Sequence, residues 1–418
     1  MNELVFESYG FDGKVASFRY RYNNLHYTEF ATFDSSERYD EAVLERALFL
    51  AFLVIGTSYY KAFPVKNVRF EMGNIDVWQA SFCNKVYQEG LSQYAFENQL
   101  TRDNLARFLP GPSAEVLQAV SYEGSGILAL QSGGKDSLLL ASLLEKAGKQ
   151  FAPWYVTSSE GHPAVLDLLA EPLLVARRHL DVAALKEVTR LGGKNGHIPV
   201  TYVVLSLALI QAVLLGKNTV LAAIAHEGEE PHEWIGDLPI NHQWSKTWQA
   251  EQLFADYVTR YISPDILVGS PLRSMSELKV TELFAENAWE KFGKKFSSCN
   301  ESNYKQGVDN TELTWCGRCP KCANSYLLFA PFIAPNTLQS RLGGKLFEMP
   351  ELTDTFKGLL GVDNVMKPFE CVGEIDELRA AYHLGQQNGY EPLPFAVPHS
   401  TFDKDARYDA QQWTKNIL

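Results

Sequence analysis

Six consecutive residues, Ser132-Gly133-Gly134-Lys135-Asp136-Ser137, carry what a phosphate grip needs. They fall between a short apolar run, Ile127 to Leu130, and a helical pattern from Leu138 to Lys146. At a strand-to-helix turn, free backbone N–H groups and the positive helix end hold an anion. Gly133 and Gly134 let the backbone come close, because no Cβ intervenes and positive φ costs little. Lys135 adds charge, Ser132 and Ser137 add hydroxyls, and Asp136 adds a carboxylate. A Ser-Gly-Gly turn can also do no more than cap a helix; the six residues together, in this setting, favour anion binding. The pattern is not a Walker A loop, which needs four residues between its glycines and then Gly-Lys-Ser/Thr.

A second group is made of sulfur. Four of the six cysteines gather in one region: Cys299, then Cys316, Cys319 and Cys322 within Trp315-Cys316-Gly317-Arg318-Cys319-Pro320-Lys321-Cys322. Two x-x gaps place three thiolates at chelating turns, and Cys299 can close a tetrahedral four-sulfur site. Structural Zn²⁺ is the preferred occupant. An iron–sulfur cluster uses similar spacing, and a disulfide is the remaining alternative, disfavoured in the cytosol. A four-thiolate zinc is closed, so its work is expected to be holding its loop over the active site rather than activating water. Cys83 and Cys371 lack such company and are expected to be ordinary buried residues.

Three polar groupings form the expected substrate side: Asn195-Gly196-His197-Ile198-Pro199-Val200-Thr201, then Ala225-His226-Glu227-Gly228-Glu229-Glu230, then Asn241-His242-Gln243-Trp244-Ser245-Lys246-Thr247 with Glu251 beyond. Single histidines such as His197, His226, His232 and His242 are more often satisfied or surface groups than catalysts. His242 and Lys246 are four apart, so on a helix they would share a face. His242, Lys246, His226 and Glu227 are therefore the candidates for substrate contact or proton transfer.

These residues need a scaffold that brings them to one edge. The run Phe151 to Thr157 completes a strand–helix–strand unit with Ile127 to Leu130, which argues for a parallel sheet. Helices are expected over Ala164 to His179 and Val200 to Leu215, and a strand over Thr219 to Ala223. The economical fold class is α/β, a doubly wound parallel sheet over about 121–335 that binds ligands at its carboxyl edge. Residues 1–120 read as an N-terminal α+β domain, with an alternating strand from Val15 to Tyr22 and a helix from about Tyr39 to Ile55. Residues 336–418 read as a closing C-terminal appendage.

Bulk properties narrow the function classes. A chain of 418 residues exceeds what one core usually supports, and 46% apolar residues exclude disorder. A formal charge of -12 disfavours broad attraction to nucleic acid. The first residues lack the basic and apolar regions of a secretory signal, so a cytoplasmic location is expected. The apolar stretches Ala47 to Ile55 and Val200 to Leu215 fall short of the roughly 18–20 residues that span a bilayer, and are expected to be buried helices.

The loop Ser132 to Ser137 resembles the SGGxDS signature of the PP-loop ATP pyrophosphatases. That resemblance implies a HUP-like fold, a grip on the pyrophosphate end of ATP, and an association of Asp136 with Mg²⁺. Taken in order, Gly56-Thr57-Ser58-Tyr59-Tyr60-Lys61, the loop, Asn195 to Thr201, Asn241 to Lys246 and the cysteine segment resemble the UDP-N-acetylmuramoyl-L-alanyl-L-glutamate epimerases of the MurL type, over about 56–335. This resemblance implies ATP-dependent inversion of the terminal L-Glu of UDP-MurNAc-L-Ala-L-Glu through an acyl-adenylate, with AMP and pyrophosphate released and no nucleic-acid or membrane partner. The 7-cyano-7-deazaguanine synthases carry a similar loop and a four-cysteine site, but typically open with the loop, whereas some 125 residues precede it here. A tRNA-modifying enzyme would be expected to bring a basic surface.

Overall fold

The structure, a computed structural model, describes residues 2–35, 38–111, 116–303 and 311–418. Its frame is a nine-stranded sheet with strand order β11-β8-β5-β6-β7-β3-β2-β1-β4. The first three strands, β1 (Leu4–Phe11), β2 (Val15–Tyr22) and β3 (Leu25–Thr32), form an antiparallel meander, and β4 (Val68–Phe70) adds to β1 in parallel. The other half is parallel: β5 (Ile127–Leu130), β6 (Phe151–Thr157), β7 (Leu174–His179), β8 (Thr219–Leu221) and β11 (Leu267–Gly269). A separate hairpin pairs β9 (Glu233–Ile235) with β10 (Leu238–Ile240).

From β5 the chain runs outward through β6 to β7, then returns to the other side of β5 for β8 and β11. The gap between β5 and β8 is therefore the topological switch point of the parallel half, where open α/β sheets bind ligands. Buried parallel strands read as continuous apolar runs, and both Ile127-Leu128-Ala129-Leu130 and the fully buried Thr219-Val220-Leu221 fit.

The meander and the parallel half meet where β3 pairs antiparallel with β7, Phe30 opposite His179 and Thr32 opposite Arg177. Across that seam Arg178 donates to both oxygens of the fully buried Glu29, at 2.6 and 3.1 Å, and Tyr59 donates to the same carboxylate at 2.9 Å. The N-terminal region thus continues the main sheet. The helices Glu41–Ile55 and Val200–Leu214 pack on each other with most of their side chains buried. The stretch Glu41–Tyr60 has the length and composition to cross a membrane, yet 83% of its apolar window is buried inside the fold.

The helix expected over Ala164 to His179 is not formed. A short 3₁₀ turn covers Ala164–Leu168, and Leu174–His179 is β7. Pro172 interrupts the span: proline ends a helix before it and favours extended backbone at its predecessor.

Candidate functional site

Three parallel strands deliver the polar groups. The Ser132–Ser137 turn follows β5, Glu227 lies beyond β8, and Arg273 and Glu277 follow β11. Gly133 takes φ +78°, a left-handed conformation suited to glycine. Ser132 and Ser137 tie the turn shut: the Ser132 N–H donates to the Ser137 hydroxyl at 3.2 Å, that hydroxyl donates to the Gly134 carbonyl at 3.2 Å, and the Gly134 N–H donates to the Ser132 hydroxyl at 3.3 Å. Lys135 opens the helix Lys135–Lys146 and is buried.

Around the turn lies a nest of alternating charges. The Lys135 ammonium sits 2.6 Å from Asp136 Oδ1 and 3.2 Å from Glu277 Oε1, and Lys246 Nζ donates to Glu227 Oε2 at 3.2 Å. Burial alone would strip Lys135 and Lys246 of their protons. Asp136, Glu277 and Glu227 outweigh it for Lys135; Cys371 and the same carboxylates outweigh it for Lys246, so both stand above the usual lysine range. Burial opposes ionisation of Glu227 as well, but Lys246, Lys321, Lys135 and Arg273 hold its carboxyl below the ordinary value. Glu277 goes the other way: burial, with Glu227 and Asp136 nearby, raises it. Its Oε2 is buried and has no hydrogen-bond partner among the described residues.

Arg273, fully buried, anchors the wall. It donates to Glu251 at 2.9 Å, to the Ala225 carbonyl at 2.8 Å and to the Lys246 carbonyl at 2.8 Å. A strap over residues 368–375 closes the other side: Gln243 donates to the Val372 carbonyl at 2.8 Å, the Gly373 N–H donates to Asn324 at 2.9 Å, and Lys321 donates to the Cys371 carbonyl. Cys371 is thus no ordinary core residue, as its sequence context implied; it is half-buried and belongs to this wall. Cys83 is buried in the core, where desolvation pushes its thiol up.

His242 and Lys246 do not share a helical face. Trp244–Lys246 is a 3₁₀ turn, which sends Lys246 to Glu227 while His242 faces Gln93, 2.6 Å from Nδ1. The β9–β10 hairpin brings His232 and His242 to its open end, 6.5 Å between ring centroids, and the loop before Val200 adds His197, 4.3 Å from His242. Burial and neighbouring cations depress all three, His197 to about 3 and the others to about 4, so they are neutral imidazoles near pH 7. His226 lies apart, stacked on Tyr408 at 3.6 Å and 8°. Sequence reasoning misses the histidine cluster and the roles of Lys321, Glu277 and Arg273, since hairpin and strap contacts link residues far apart in the chain.

The four cysteines come together as expected. Cys299 Sγ is 3.6 Å from Cys319, Cys319 is 3.6 Å from Cys322, and Cys316 is 3.8 Å from Cys322. All four sulfurs lie within 4.8 Å of one another, and none forms a disulfide. Four arms of about 2.3 Å from a tetrahedral ion give sulfur separations of about 3.8 Å, so the cluster fits a single metal ion with four sulfur ligands. Hydrogen bonds from Cys319 and Cys322 pull the Cys299 thiol below its ordinary value. Segments flanking the cluster lie against the Ser132–Ser137 turn: a Cβ on Gly133 would come 2.7 Å from Leu313, and one on Gly134 would come 3.1 Å from Ser298, neighbour of Cys299.

Fold and site together define an α/β protein with a glycine-rich turn at its switch point, a buried nest of lysines and carboxylates beside it, and a four-cysteine cluster whose flanking segments lie close to the turn. The chain matches the family model described as the MurL N-terminal domain over residues 1–267, and that of the MurL C-terminal domain over 295–393. It belongs to the MurL family. Among curated proteins it is similar to the UDP-N-acetyl-alpha-D-muramoyl-L-alanyl-L-glutamate epimerase of Xanthomonas oryzae pv. oryzae, 34% identical over 81% of this chain and 74% of that one. Proteins of the same name from Salinispora tropica and a Micromonospora species are 33% and 32% identical, covering 94% and 88% of this chain and 87% and 82% of theirs. The likeness extends beyond residues 56–335 at both ends.

Proposed function

We propose that this protein is an enzyme that inverts the terminal L-Glu of UDP-MurNAc-L-Ala-L-Glu to D-Glu, consuming ATP to AMP and pyrophosphate through an acyl-adenylate of the PP-loop ATP pyrophosphatase type. The observation that carries the ATP-dependent part is the Ser132–Ser137 turn at the β5–β8 switch point, with Lys246 and Lys321 joining Lys135 of the turn around Glu227 beside it. The substrate comes from the names of the relatives.

The chemistry explains the expense. A free α-carboxylate opposes removal of the adjacent proton, because a second negative charge would build up beside the first. Joining the carboxylate to AMP removes that charge and acidifies the α-proton. Lys246 stays protonated, so its role is to hold the carboxylate and then the enolate oxygen as a cation rather than to act as the base. The neutral His242 is the candidate to take the α-proton, and Glu227 keeps Lys246 in place. A proton returned to the opposite face of the α-carbon inverts it, and water then hydrolyses the acyl-adenylate to the D-Glu carboxylate and AMP.

Asp136 and the unpartnered oxygen of Glu277 are the groups that would meet Mg²⁺ brought by ATP. The four cysteines would hold Zn²⁺ as a closed structural ion, keeping Ser298 and Leu313 against the glycine turn.

The test is incubation with ATP, Mg²⁺ and UDP-MurNAc-L-Ala-L-Glu, followed by AMP quantification and chiral analysis of the released glutamate. D-glutamate formed together with AMP is expected. AMP without inversion would remove the epimerase reading, and inversion without AMP would remove the adenylate.

A further inference from the structure

Lys61 is a cation with no anion beside it among the described residues. It ends the Gly56-to-Lys61 segment, is partly buried, and donates to the Gly196 carbonyl at 3.0 Å. Burial, with Arg178 nearby, lowers its ammonium to about 8. Among the described residues no carboxylate lies within ion-pairing distance of it. The carboxylate across the seam, Glu29, is taken up by Arg178 and Tyr59. A desolvated charge without a partner is costly, and its position is explained if a ligand supplies the counter-charge.

The surroundings fit such a ligand. Lys61 lines a cavity of about 300 Å³ together with Lys186, from the helix Val182–Arg190, and Lys194, from the loop that follows. Neither of these ammoniums pairs with a carboxylate among the described residues. The loop is held in shape: the Gly193 N–H donates to the Val188 carbonyl and the Lys194 N–H to the Ala62 carbonyl, both at 2.9 Å. A Cβ on Gly193 would come 2.4 Å from Val188 Cγ1, so the approach requires glycine. Two residues beyond Asn195, the same loop delivers His197 to the ring of His242. One loop thus supplies both Lys194 and Asn195 of the cavity and His197 of the histidine cluster.

We propose that this three-lysine cavity binds the diphosphate of the nucleotide-sugar end of the substrate. The inference rests on the functional reading above, whose substrate carries a diphosphate separated from the reacting glutamate by a sugar and a dipeptide. Lysines are point-charge phosphate binders, and three of them around one cavity match a group with two negative phosphates. Uniform binding of a remote group positions the substrate and governs KM.

The experiment uses the full chain and a Lys186→Ala/Lys194→Ala double variant, with Lys61→Gln as a second variant. Calorimetry measures UDP and, separately, inorganic pyrophosphate. Kinetics compare UDP-MurNAc-L-Ala-L-Glu with MurNAc-L-Ala-L-Glu, which lacks the nucleotide. UDP should bind the wild type and about tenfold or more weakly to each variant, and the preference for the full over the truncated substrate, as a ratio of kcat/KM, should fall by about the same factor. UDP binding equally to all three proteins would overturn the site. So would pyrophosphate binding where UDP does not, since that marks a site for the product of ATP cleavage. Because UDP binding needs no turnover, the two readings fail separately: lysine-dependent UDP binding in a protein that epimerises nothing keeps the cavity and loses the function, whereas an active epimerase with lysine-independent UDP binding loses the cavity alone.

Discussion

The proposed function gives Lys246 and Asp136 separate work, set by charge. Lys246 is surrounded by anions that keep it protonated, so charge, not basicity, is what it offers. Lys246→Gln should therefore lower kcat by ~100-fold or more, the scale seen when one transition-state charge contact is lost, and Lys246→Arg should restore a substantial part. A lysine acting as base would gain nothing from arginine, so the kcat of the two variants decides. Asp136 is partly exposed and, among the described residues, pairs only with its neighbour Lys135. Asp136→Asn should abolish pyrophosphate release while the melting temperature moves by no more than a few degrees; retained release would remove Asp136 from the ATP site. The Ser132–Ser137 turn is legible in the chain because its six residues are contiguous and their chemistry is local. Gln243, Lys321 and Cys371 are not, because they meet only through the strap over 368–375.

At the level of elements, the β3–β7 seam shows what periodicity reveals and what it hides. The strands β2, β5 and β6 and the helix Val200–Leu214 follow from alternation, apolar runs and helical spacing. Strand β7 does not, because the spacing of apolar residues from Ala164 onward mimics a helix that Pro172 forbids, and its pairing with β3 depends on Glu29 and Arg178, 149 residues apart. Glu29 is fully buried and its carboxylate joins both halves of the sheet. Glu29→Gln should cost ~3–5 kcal/mol in denaturant unfolding, the scale for stranding one member of a buried ion pair, whereas replacing both Glu29 and Arg178 by apolar residues of similar volume should cost much less. Equal losses from the single and double variants would show that the pair does not join the halves. The cysteine cluster is a second brace. On the proposed reading of it as a zinc site, a strong chelator should lower the melting temperature and release close to one ion per chain, because structural zinc binding, on the order of 10 kcal/mol or more in peptides, is folding energy. Loss of ATP-dependent turnover should accompany it, since Ser298 and Leu313 lose their hold on the glycine turn.

Over the whole molecule, acid stability follows from the mix of depressed histidines and raised carboxyls in the cleft. His242 stands at about 4 against an ordinary 6.5, because burial and the cations Lys246 and Lys321 disfavour its charged form. Between those two values the unfolded chain binds a proton that the folded chain refuses, so His242 lowers stability as pH falls through that window and has no such effect above it. Glu374, raised to about 7 by burial and Glu230, acts with the opposite sign, because the folded state holds its proton more tightly. The pH profile of the wild type alone mixes both contributions. A His242→Gln variant separates them: glutamine does not titrate, can still bond to Gln93, and leaves the carboxyls in place in both proteins. Relative to its own value at pH 7, the variant should gain ~2–3 kcal/mol on the wild type by pH 4, because each tenfold difference in proton affinity between the folded and unfolded chain is worth ~1.4 kcal/mol. Parallel unfolding curves for the two proteins from pH 7 to pH 4 would mean that His242 is as free to charge in the folded state as in the unfolded one. It would then not be the desolvated neutral imidazole that proton abstraction in this cleft requires.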